Sequence, residues 1–66
     1  MLSCEFIIYG EGENISNVSP NPLPTKNDFV WLGPKRYKVV QQEFKYGCSN
    51  HQCWLEKVIS YIEEQK

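Results

Sequence analysis

Between Arg36 and Tyr46 the apolar residues change parity partway along: Tyr37 and Val39 sit on odd positions, Val40, Phe44 and Tyr46 on even ones. Residues two apart share a face in an extended chain, so one straight strand cannot bury both sets on the same side. A β-bulge adds one residue to a strand, bends it, and brings both sets to one face. A segment of this kind belongs in a sheet that curls on itself.

The flanking segments fit that sheet. Phe29 to Leu32 is a short apolar run bracketed by Asp28 and by Gly33-Pro34, which marks a strand entering a tight turn. Leu2, Cys4, Phe6 and Ile8 share one face of an extended chain and Ile7 and Tyr9 the other, giving a first strand. Gly10 to Asn14 is turn-prone, and Ile15 and Val18, inside the polar stretch Asn14 to Ser19, suit a short edge strand pairing back on the first. Pro20, Pro22 and Pro24 stand at alternate positions and block a helix, so residues 19–28 read as a connecting arm with Leu23 tucked onto the core. The Pro20-x-x-x-Pro24 spacing does not match the PxxP ligands of SH3 or WW domains.

The last element, Cys53 to Ile62, follows a polar turn at 47–52 and admits two readings. Trp54, Leu55, Val58, Ile59, Tyr61 and Ile62 gather on one side of a helical wheel, and Ser49 or Asn50 would cap a helix over about 51–64, making an α+β fold with a three- or four-strand sheet. Against it stand the absence of Ala, the many β-branched and aromatic residues, and Glu63 and Glu64 near the C-terminal end, where the helix dipole disfavours them. As a strand the segment pairs with Val39 to Tyr46 across the turn. We adopt the strand, and with it a mainly β, five-strand barrel.

A chain of 66 residues, 41% of them hydrophobic, makes one small domain. Seven Lys and Arg against eight Asp and Glu leave a net charge of -1, so no general basic field recruits a phosphate backbone. No apolar run approaches the roughly 18 residues of a membrane span, and Met1 to Tyr9 lacks the basic start and small-residue cleavage site of a secretory signal. A soluble cytoplasmic protein without a membrane partner is the expectation. Three cysteines, Cys4, Cys48 and Cys53, are an odd number, which fits a reducing compartment and free thiols.

From Pro24 to Val40 the order is proline, a short spacer, Asp28, an apolar strand, Gly33-Pro34, a basic pair and Tyr37-x-Val39-Val40. This resembles the central hairpin of small SH3-like barrels found as stand-alone bacterial and phage proteins, where a proline and an acidic residue precede a short strand. Asn27 stands where those barrels usually carry glycine, and Asn also tolerates a left-handed turn. The resemblance implies a barrel that binds peptides, proteins or nucleic acids, and no single function among them.

Three groupings bear on chemistry. Cys48-x-x-His51-x-Cys53, with Cys4 elsewhere, offers thiolates and an imidazole to zinc, but the close spacing is unlike the separated ligand pairs of structural zinc sites. A disulfide joining Cys48 to Cys53 is a further alternative; plain structural thiols, with no metal and no cofactor, are expected. His51 is the lone histidine and has no evident orienting group, so no catalysis is expected. Lys35, Arg36, Tyr37, Lys38 and Lys45 form a small basic and aromatic cluster suited to nucleic acid, interrupted by Glu43.

The aromatic residues exceed what so small a core can enclose. Trp31 and Trp54 can each be placed in the core, yet some aromatics must stay outside, where they dominate binding hot spots. Trp31, Tyr46 and Trp54 are the candidates for partner contact. The chain therefore reads as a non-catalytic protein-binding accessory factor or inhibitor, with self-association as a variant, nucleic-acid binding as the alternative and a zinc-stabilised mini-domain as the third reading.

Overall fold

The parity change becomes a bulge at Val40. In the computed structural model, which describes residues 2–15, 18 and 22–65, Val39 faces Ile62 and Gln41 faces Tyr61, leaving Val40 as the extra residue. Tyr37 and Val39 before the bulge, and Gln42, Phe44 and Tyr46 after it, thereby share one face of the sheet. The strands are β1 Ser3–Ile8, β2 Asn14–Ile15, β3 Phe29–Leu32, β4 Lys35–Ser49 and β5 Gln52–Gln65, with no helix among the described residues. The terminal segment is a strand, as the β-rich composition favours.

The sheet runs β2-β1-β5-β4-β3 and curls toward a small barrel, with β1 and β5 parallel and every other pair antiparallel. Its inner face carries Cys4 and Phe6 from β1, Tyr37 and Val39 from β4, and Val58 and Ile62 from β5, all buried. Ile8, Ile15, Val18, Val30 and Leu32 pack half-buried around them. The expected edge strand is β2; residues 16, 17 and 19 of that stretch lie outside the described residues, as do residues 19–21 of the proline arm, so the Pro20 spacing falls outside them too.

Local chemistry sets the turns. Gly33 takes φ +65° and Pro34 follows with its ring-fixed negative φ, the pattern of a type II′ hairpin turn. Asn50 and His51 take φ of 50° and 66°, the two positive values of a type I′ turn between Ser49 and Gln52. At the foot of the proline arm Asn27 adopts φ 76°, and Asp28 Oδ2 accepts hydrogen bonds from the Thr25 backbone N–H and hydroxyl, each at 2.9 Å. The arm is tied to the sheet by Gln42, whose side-chain amide donates to the Pro24 carbonyl at 2.6 Å and to the buried Ser60 hydroxyl at 3.1 Å.

The cysteines require a correction. Cys48 and Cys53 are joined in a disulfide, and only Cys4, buried on β1 beside Val58 of β5, is free. Hairpin register is the reason: the tight turn on Asn50-His51 sets Cys48 directly opposite Cys53, with Cα atoms 4.1 Å apart. Burial raises the Cys4 thiol above its ordinary pKa and keeps it from reacting. Native protein is therefore expected to show no thiol accessible to a colorimetric reagent, one after unfolding without reductant, and three after reduction; two or more in the first assay would contradict the pairing.

Acid lowers stability through the same polar ties. Asp28 is held below the usual carboxylate range by the Thr25 backbone N–H and then by the Thr25 hydroxyl. Glu5 is lowered by Lys57 Nζ at 2.6 Å and then by the Asn14 amide at 2.8 Å. A carboxylate depressed in the fold contributes stability above its unfolded pKa, about 3.9 for Asp and 4.3 for Glu, and loses it as pH falls through the lower folded value. Thermal melts from pH 7 to pH 2 are expected to fall less steeply for Asp28→Asn than for the parent chain; parallel curves would deny Asp28 this role.

Candidate functional site

The hairpin of β4 and β5 outgrows the sheet that supports it. Fifteen residues at about 3.3 Å each span about 50 Å, and the molecule measures 47 × 23 × 19 Å. β3 pairs only with Lys35 to Lys38 of β4, and β1 only with Lys57 to Ile62 of β5. Beyond those limits the two strands continue alone as an arm ending at Asn50-His51. An isolated two-stranded hairpin is marginal in water, so this arm needs its own supports.

Three supports are present. The Cys48–Cys53 disulfide closes a loop short enough to contribute about 2 kcal/mol on a chain-entropy argument. Trp54 lies opposite Gly47 and covers it: a Cβ added at Gly47 would stand 2.9 Å from the Trp54 ring, closer than such atoms approach. A second bulge, at Glu56, lets Tyr46 face Leu55 while Lys45 faces Lys57, and the Trp54 indole N–H donates to Glu56 Oε1 at 3.2 Å.

The arm consequently has two different faces. Phe44, opposite the core residue Val58, stands at the root of the arm, and Tyr46 and Leu55 continue the inner face beyond it, with the disulfide farther out. Trp54 lies on the opposite face with Lys45 and Lys57. Phe44, Tyr46 and Trp54 are 50%, 57% and 49% exposed, so each presents a large apolar surface to solvent. The outer side of the sheet has its own polar fastening, the Tyr61 hydroxyl donating to Glu43 Oε1 at 2.7 Å.

Trp31 is elsewhere. It sits on β3 opposite Arg36, 66% exposed, next to Phe29, over whose ring the Arg36 guanidinium lies at 4.8 Å. Phe29 and Trp31 are among the residues that line an apolar hollow of about 420 Å³ at β3 and the proline arm, together with Phe6, Leu23 and Val30. Trp31, Tyr46 and Trp54 therefore do not form one patch: Tyr46 and Trp54 share the arm, back to back, and Trp31 belongs to a second surface. Neither tryptophan is in the core, because both fall on positions the hairpin register turns outward.

The basic cluster is dispersed in the same way. Tyr37 is 7% exposed, a core residue whose ring is closed to a stacked base. Arg36 and Lys38 face outward across from Trp31 and Phe29, Lys35 is on the inner side near Glu64, and Lys45 is out on the arm. The disulfide takes two of the zinc candidates, Cys48 and Cys53, and leaves His51 in a turn; no grouping of three His, Cys, Asp or Glu suited to a metal occurs among the described residues. Phe44 and Leu55 are the arm residues the sequence argument passed over, although Phe44 shares the parity of Tyr46. Compared with protein-family models, curated proteins and solved structures, the chain gives no match.

Proposed function

We propose that this chain is a non-catalytic protein-binding factor, an accessory subunit or inhibitor, whose contact is the β4–β5 arm with Phe44, Tyr46, Leu55 and Trp54 against a different protein. One observation carries the reading: Tyr46 and Trp54, each about half exposed, stand on an extension braced by a disulfide and lying outside the core, with half-exposed Phe44 at its root. Rigid aromatics offer contact area at low entropic cost, and a braced hairpin loses little freedom on docking. An SH3-like barrel is compatible with this role without implying it.

The compartment belongs to the same proposal. A cytoplasmic location now rests on the buried thiol of Cys4, while a disulfide such as Cys48–Cys53 persists in oxidising surroundings. The oxidation state of the arm in cells reports which applies.

Affinity capture with the parent chain and a Tyr46→Ala, Trp54→Ala variant in parallel tests the function. A protein retained by the parent and lost by the variant supports it. Tight nucleic-acid binding with a steep salt dependence, insensitive to the arm substitutions, would replace it with the nucleic-acid reading.

A further inference from the structure

The end of the sheet away from the arm holds a pocket that the aromatic surface does not use. Ile8, Ile15 and the ring of Tyr37 line a space of about 510 Å³. Glu11, Glu13, Glu63 and Glu64 also border it, and Lys35 is the one cation among the described residues that do. Lys35 does little to neutralise them: its Nζ is 4.0 Å from Glu64 Oε1, both side chains well exposed, and pairs of that kind are weak.

Carboxylates over apolar residues would by themselves be ordinary solvated surface. Tyr37 changes that. Its side chain is more than nine-tenths buried, and its hydroxyl makes no hydrogen bond with any described residue. No fully buried side-chain N or O among the described residues lacks a partner, so this hydroxyl reaches solvent, and Tyr37 is one of the residues that line the pocket. A nearly buried tyrosine whose hydroxyl has no protein partner, in the lining of an acidic pocket, is placed to meet a group from outside.

We propose that this pocket receives a lysine or arginine side chain of a partner protein. The aliphatic stem would lie on Ile8, Ile15 and the Tyr37 ring, the cation would meet the glutamates, and an N–H would donate to the Tyr37 oxygen. The proposal goes beyond the aromatic arm, since Trp54 and Glu64 are separated by about 33 Å of extended strand.

NMR titration of the full chain tests it, with N-acetyl-lysinamide and N-acetyl-argininamide as probes, N-acetyl-norleucinamide as the neutral control and spermidine as a free polyamine. The basic amides are expected to shift Ile8, Ile15, Tyr37 and Glu64, less so at higher salt, while norleucinamide leaves them in place. Tyr37→Phe is expected to weaken binding about three- to tenfold by removing one hydrogen bond. Glu64→Gln, opposite Tyr37 on the same face, weakens it about threefold or more, and Lys35→Gln strengthens it about threefold. The Lys35 gain reads the proposal even if Tyr37→Phe disturbs the core. Equal shifts from norleucinamide, indifference to all three variants, or binding of spermidine without either amide would overturn it.

Discussion

Ile62→Ala is expected to cost about 2 to 5 kcal/mol, the range for deleting a buried branched side chain and leaving a cavity. Ile62 is fully buried, lies opposite Val39 across the β4–β5 ladder and is paired with Ile8 on the other side, so it joins three strands at one point. A chain of 66 residues has about 3 to 10 kcal/mol of total stability at ordinary values per residue, so the loss is a large share of the whole. Urea unfolding followed by far-UV circular dichroism measures it. Trp31→Ala, on an exposed ring, is the control and is expected to cost less than about 1 kcal/mol. Equal costs for the two would mean that the core is not where the inner face places it.

The second large effect is on binding. Truncating Tyr46 or Trp54 to Ala is expected to weaken the partner complex by about 2 kcal/mol or more, roughly thirtyfold, as hot-spot aromatics do. Folding should change little, because the arm lies beyond the pairing of β1 and β3 and its tip is held by the disulfide. Since Tyr46 and Trp54 are on opposite faces of the arm, their separate effects also report the mode of docking. Losses from both indicate a cleft that grips the hairpin, and loss from one alone indicates a flat contact on that face. Calorimetric titration against the captured partner distinguishes these.

Much of the fold was legible because its signals are local. The parity switch after Val39 required a bulge, Gly33-Pro34 required a turn, and the β-branched residues of the last element favoured a strand over the helical periodicity that competed with it. Strand order was not legible. Parallel pairing of β1 with β5 joins residues more than fifty positions apart, and no local pattern in either strand encodes it. The disulfide stood only as an alternative, because an odd number of cysteines favours free thiols; what decides it is register, since Asn50 and His51 alone make the turn and set Cys48 opposite Cys53.

The candidate site was legible in kind and not in arrangement. An excess of aromatics shows that some must be exposed, but their grouping depends on register: Glu56 as a bulge residue turns Trp54 away from Tyr46, and Val40 as another brings Phe44 and Tyr46 onto the face of Tyr37 and Val39. Tyr37 reversed its expected role through the same mechanism, passing from a surface ring beside cations to a core residue in the lining of an acidic pocket.

The chain holds two tryptophans, one on the arm and one on β3, so Trp31→Phe and Trp54→Phe each isolate the emission of the other. Titrating both variants with the captured partner measures directly whether the arm is the contact. The account predicts a blue shift and protection from iodide quenching for Trp54 in the Trp31→Phe protein, and an unchanged spectrum for Trp31 in the Trp54→Phe protein. A shift of Trp31 with Trp54 unmoved would contradict it and transfer the interface to β3.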